Sequence, residues 1–179
     1  MQMVHVALRE IKIGFRNPWA YSFMALFGIF SLALLSIQSQ NYVTGYSGVT
    51  SSMLNLILYL LPLMTLLIGS FSLTAEKEEG SWELLSTYPL TTFSFITGKF
   101  VGLATVLITI IAVGFGLIGI LGGISGNGFD SSTYGLFFVF SVGLILLFLA
   151  LALGIGTIAK NRWQALTIGV SVWFFLIIG

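Results

Sequence analysis

Residues 53–80 read MLNLILYLLPLMTLLIGSFSLTAEKEEG. From Met53 to Thr74 there is no charge, and from Glu76 to Glu79 there is nothing else. An uncharged, apolar run of that length, at about 1.5 Å per helical residue, crosses a hydrocarbon core of roughly 30 Å. The run is continuously apolar and lacks the in/out alternation of a lipid-facing strand, so it predicts a membrane helix that emerges into water at Glu76.

The rest of the chain repeats this pattern. No charge occurs in 17–75, 100–129, 131–159 or 163–179. These gaps predict helical spans near Trp19–Ile37, Met53–Thr74, Lys99–Gly123 and Tyr134–Ala159, and a fifth from Gln164. The polar stretch Gln38–Ser52 divides the first gap into two crossings. The fifth run stops at Gly179 inside an apolar stretch, so we expect the remainder of that helix, and a sixth, to lie beyond the given sequence. Charged residues make up 7% of the 179, against about 25% in a soluble domain, and mean hydropathy is +1.05. Such a chain could not cover a water-facing surface. A soluble enzyme is excluded, and a net charge of +1 gives no electrostatic footprint for nucleic acid. With no cysteine there is no disulfide framework, zinc–thiolate site or thiol nucleophile.

All seven basic residues fall on one side of this topology. Arg9, Lys12 and Arg16 precede the first span, Lys77 and Lys99 flank the segment between spans two and three, and Lys160 and Arg162 lie between spans four and five. The positive-inside bias makes that side, and the N-terminus, cytoplasmic. Residues 3–17 form an amphipathic entry segment: Val4, Leu8, Ile11 and Phe15 share one helical face, and His5, Arg9, Lys12 and Arg16 the next. That arrangement suits a helix lying in the membrane interface, with its bases near lipid phosphates. Asn17-Pro18 ends it, because a residue before proline is pushed out of the helical region.

The predicted spans carry no ionisable side chain inside them, which argues against proton-coupled transport, voltage sensing and intramembrane acid–base chemistry. Small residues recur four apart instead, at Gly98/Gly102, Gly119/Gly123, Ala150/Gly154 and Ala152/Gly156, a spacing that lets helix backbones approach. Between spans two and three, residues 76–98 hold four of the six acids. Glu76, Glu79 and Glu83 would share a helical face, repelling one another unless a cationic partner meets them. Trp82 and Leu85 flank them as candidate apolar anchors, and Tyr88-Pro89 breaks the helix.

The run Glu78-Glu79-Gly80-Ser81-Trp82-Glu83-Leu84-Leu85-Ser86-Thr87-Tyr88-Pro89-Leu90, with Gly98-Lys99-Phe100-Val101-Gly102 after it, resembles the signature of ABC-2 type transporter permeases. The resemblance implies an all-α polytopic, type V exporter-like bundle, with an N-terminal amphipathic helix and six spans per subunit, five of them within this sequence. It also implies a dimer of two permease copies, paired with ATP-binding cassette ATPase subunits in the cytoplasmic membrane of a prokaryote. Glu76, Glu78, Glu79, Gly80, Trp82, Glu83, Leu85 and Pro89 would then couple to the ATPase, while Arg9, Lys12 and Arg16 meet the lipid bilayer. The stretch Gly169–Phe175, with 87–90 and 98–102, is similar to permeases that serve copper-site maturation of nitrous oxide reductase. Export of a sulfur species or maturation factor towards an extracytoplasmic partner protein is the implied activity. No Gly-x-x-x-x-Gly-Lys-Ser/Thr phosphate loop occurs in the 179 residues, so ATP would be bound by the partner subunit, and no cofactor or metal is expected here. Two readings from other classes stand beside this one. One is a membrane-embedded enzyme acting on lipid or peptide, which a base or nucleophile beyond residue 179 would mark. The other is a structural subunit of another membrane complex, without ATP-dependent coupling.

Overall fold

The computed structural model describes residues 2–40, 46–80, 91–124 and 131–179, which form six helices and, among these residues, no strand. They are α1 (Gln2–Gly14), α2 (Pro18–Gln40), α3 (Tyr46–Glu78), α4 (Thr92–Ile124), α5 (Ser131–Ile158) and α6 (Arg162–Ile177). The all-helical expectation holds. Segments of α3, α4 and α5 are long and apolar enough to cross a membrane, while Pro18–Phe30 of α2 and the 16-residue α6 form shorter apolar helices.

Local chemistry sets the helix ends. Asn17 caps α2, its Oδ1 accepting the Trp19 N–H at 3.0 Å, with Pro18 in the first-turn position where a missing N–H costs nothing. Asn161 caps α6 by accepting from Gln164 N at 2.8 Å. Gly80 stops α3 with φ +68°, the left-handed conformation that glycine adopts without steric cost. Thr91 opens α4, its Oγ1 accepting from Ser94 N.

Several boundaries differ from expectation. The stretch predicted as a 76–98 loop is mostly helix at its margins: α3 runs on through Glu78, and α4 begins at Thr92, seven residues before Lys99. The charges that suggested a loop are neutralised by ion pairs, so they do not end the helices. On the opposite side, the polar residues 38–40 and 50–52 are likewise helical.

α3 is the central helix. In its most apolar window 61% of residues are buried, against 39% for α5, which is the more apolar of the two. That inverse order is what a lipid-facing outer helix requires, since its exposed side chains meet hydrocarbon. Small residues set the closest crossings. A Cβ on Gly98 would lie 2.7 Å from the Met3 carbonyl, and one on Gly102 would lie 2.6 Å from Glu10 Cβ, so α1 seats directly in the Gly98/Gly102 groove of α4. On α3, Gly69 meets Ala152, while Leu73 fills the space beside Gly156, so the Ala152/Gly156 pair is an α3–α5 seam. A Cβ on Gly154 would meet nothing among the described residues, and its partner Ala150 is exposed, so that pair marks no close crossing there. The side chains around 119–123 lie outside those described.

α1 divides its predicted apolar stripe, since Ile11 and Phe15 pack against the core. Val4 and Leu8 are more than half exposed, whereas Val6, Ala7, Glu10 and Gly14 are buried. Val4 and Leu8 are thus left free for the bilayer, and a second face, small and carrying one acid, docks on α4.

A charged hub at one end of the bundle

The antiparallel run of α3 to α6 brings the C-termini of α3 and α5 to the same end as the N-termini of α4 and α6. α1 lies across that end. Glu10 of α1 and Lys99 of α4 meet at 2.7 Å, both about 98% or more buried, and Glu76 of α3 meets the same Lys99 Nζ at 3.2 Å. Arg9 closes the group with Nη1 3.1 Å from Glu76 Oε1. Ser72 Oγ donates to Glu10 Oε2 at 3.0 Å, and the Phe95 ring lies 5.6 Å from Lys99 Nζ. Two carboxylates and two cations make the cluster electroneutral, the condition under which burying charge is tolerable.

A second set of contacts extends from the next three residues of α3. Lys77 Nζ donates to the Gly156, Thr157 and Ala159 carbonyls at 2.8–2.9 Å, satisfying acceptors that the end of α5 would leave unpaired. Glu78 accepts from the Arg162 backbone N–H at 2.8 Å and pairs with its guanidinium at 3.0 Å; Glu79 pairs with the same guanidinium at 3.3 Å. Residues 76–79 therefore tie α3 to α1, α4, α5 and α6 within one helical turn.

The expected unpartnered acidic face is corrected by this arrangement. Glu76 is buried and held by Lys99 and Arg9, and Glu78 and Glu79 are bound to Arg162. Trp82, Glu83, Leu85 and Pro89 lie outside the described residues. Gly80 is exposed and ends the helix, and Lys12 and Arg16 are exposed on and just after α1. Sequence reasoning passed over Glu10. Its signal was one acid at helical register with Val6, Ala7 and Gly14, facing a lysine set between two glycines. From the sequence Lys99 is a base that flanks the 76–98 segment and opens the third span. No group of three or more His, Cys, Asp or Glu fit to hold a metal occurs among the described residues.

Between α1, the start of α2, α3, α4 and the start of α6 the hub lines an open cavity of about 640 Å³. Glu76 is among its lining residues, and the Oε2 of that side chain is buried without a hydrogen-bond partner.

Residues 4–179 match the family described as ABC-2 family transporter protein. Two curated relatives, from Stutzerimonas stutzeri and Pseudomonas aeruginosa, each bear the name "Probable ABC transporter permease protein NosY". They are 26% and 27% identical over 99% and 97% of this chain, which spans 67% and 66% of their own lengths. With the helical bundle, the apolar spans and a match over nearly its whole length, this chain belongs to the ABC-2 family of membrane transporter proteins.

Proposed function

We propose that this protein is the membrane-spanning permease subunit of an ATP-binding cassette exporter, and that a separate ATPase subunit drives it. The observation that carries the reading is the hub. Residues 76–79 bind α3 to four other helices immediately before segment 81–90, so a force applied to that segment is delivered to the whole charged end. An ATPase docked on Trp82, Glu83, Leu85 and Pro89 would move α3 and α4 together. Glu76, Glu78 and Glu79 act as the anchor of that lever, not as its contact surface. The charged end is cytoplasmic in this reading, in keeping with the segregation of all Lys and Arg, and a second copy completes the translocation path. The relatives' names support the permease role. The sequence likeness to permeases of copper-site maturation favours a sulfur species or maturation factor as cargo, delivered to an extracytoplasmic partner.

Affinity purification of the full-length protein in mild detergent tests this reading. An ATPase bearing a phosphate loop is expected to co-purify. Trp82→Ala combined with Glu83→Lys should release it while leaving the bundle's thermal unfolding unchanged. An ATPase that stays bound and coupled in that variant, or the absence of any ATPase, overturns the reading.

A further inference from the structure

α3 is held unevenly along its length. From Met64 to Ser70 every residue is buried, and beyond them residues 76–79 tie the helix to its neighbours at the charged end. From Leu54 to Leu60, by contrast, only Ile57 is buried, and Asn55 and Tyr59 are exposed. Pro62 lies inside the helix between these two stretches. Its missing N–H leaves the Leu58 carbonyl without a helical donor, and its ring crowds that carbonyl, so α3 is weakest at this point. A second sign of incomplete bonding falls within one turn. Thr65 Oγ1 is buried with no hydrogen-bond partner, whereas Ser70, Thr74 and Ser141, the other buried hydroxyls among the described residues, each donate to the carbonyl four residues back.

α6 lies across the weak point. At its start Arg162 pairs with Glu78 and Glu79, on the inner side of Pro62. Gly169 then brings its backbone close to Leu66 and Leu67, where an added Cβ would lie 3.9 and 4.0 Å from their side chains. One turn further, Trp173 Nε1 donates to the Tyr59 carbonyl at 2.9 Å, on the outer side of Pro62. The same indole packs on the cluster of Leu66, Phe148, Ala152 and Ile155. A neighbouring helix thus supplies a donor to backbone that a proline has loosened, which is how a membrane helix tolerates one. We infer that Pro62 is a hinge in α3 and that α6 is its splint, with the Trp173 N–H as the end that releases. While that bond holds, residues 46–61 follow the inner segment; once it breaks, they swing about Pro62. A single hydrogen bond to a backbone carbonyl has a small net worth, so it can be made and broken repeatedly. The motion leaves the buried Glu10–Lys99 pair untouched. It goes beyond the permease reading and does not depend on an ATPase, so the protein alone suffices to test it.

The experiment uses the full-length protein in lipid nanodiscs, with labelled copies diluted by unlabelled ones. Spin labels on Asn55→Cys in the outer segment and Phe140→Cys on the exposed face of α5 report their separation by pulsed electron paramagnetic resonance. The parent should show one main distance and a minor second one. Trp173→Phe keeps a ring in the same space and removes the N–H, and it should enlarge the minor population about fivefold, the ratio that one net hydrogen bond supplies. Pro62→Ala restores the helical donor for Leu58 and should abolish the minor population. In that background Trp173→Phe should change nothing. A distribution unmoved by Trp173→Phe, or moved equally in the Pro62→Ala background, makes Trp173 a packing residue and overturns the inference. A second population that survives Pro62→Ala overturns it as well, which keeps the hinge open to refutation even where Trp173→Phe does not fold.

Discussion

Three of the four consecutive charges at the end of α3 feed two clasps that differ in nearly every physical respect. Glu76 turns inward, where Lys99 and Glu10 are about 98% or more shielded, and joins α1 to α4 through the core. Glu78 and Glu79 turn outward to Arg162, whose side chain is 47% exposed, and join α3 to α6 across the surface. The same chemistry, carboxylate with cation, therefore has different consequences on the two sides. Inside, removing one partner leaves an uncompensated charge; outside, water and salt replace it. The inner clasp fixes the arrangement of helices, whereas the outer one can open and close at small cost, which suits an element meant to move.

Breaking the inner clasp should have the largest effect. Lys99→Met leaves the buried Glu10 without its cation and Glu76 with Arg9 alone, a change of about 3–5 kcal/mol. We expect a large loss of folded protein in thermal unfolding in detergent. The charge-balanced combination of Lys99→Met with Glu10→Gln, which leaves Glu76 paired with Arg9, should recover most of it. A single Lys99→Met variant as stable as the parent would remove the distinction between the clasps.

Lys77 lies between the two cases, half-buried and donating to three carbonyls. Lys77→Met should cost about 1–3 kcal/mol and fray the junction of α5 and α6. Hydrogen exchange reads this directly, as faster exchange at the amides near 159–165 with those of α1 unchanged. Uniform acceleration through α1 would mean the two clasps act as one.

The smallest effect belongs to the outer clasp. Arg162→Gln should change stability by about 0.2–1 kcal/mol, and the difference should vanish in 1 M salt, where the screening length is about 3 Å. The Lys99→Met effect should persist in the same buffer, because the Lys99 and Glu10 side chains are almost wholly shielded from water. Equal salt sensitivity of the two variants would place the inner group in water.

Much of this fold could be read locally. Long charge-free runs identify the helices because a membrane admits few alternatives, and one-sided bases follow from the antiparallel order they impose. Gly98/Gly102 and Ala152/Gly156 were recognisable as close-packing pairs, although spacing alone could not separate them from Ala150/Gly154, which marks no close crossing among the described residues. What escaped was the hub. Glu10 and Lys99 are 89 residues apart, and periodicity reports only what lies within a few turns. Read singly, Lys99 resembles an interfacial anchor and Glu76 the first residue of a solvated loop. Only their meeting makes them interior. The same blindness moved the helix boundaries, since a charge ends a span only when nothing neutralises it.

The groove at Gly98 and Gly102 also bears on how the protein is made. α1 is synthesised first, yet its seat is part of α4 and the counter-ion for Glu10 arrives 89 residues later. At 5–20 residues per second that is a delay of roughly 4–18 s. Throughout that interval α1 has no docking partner, and its exposed Val4 and Leu8 are what can hold it at the membrane surface. Its apolar stripe thus acts as a waiting station during biogenesis, and the face carrying Glu10 closes only when the ribosome has delivered its lysine.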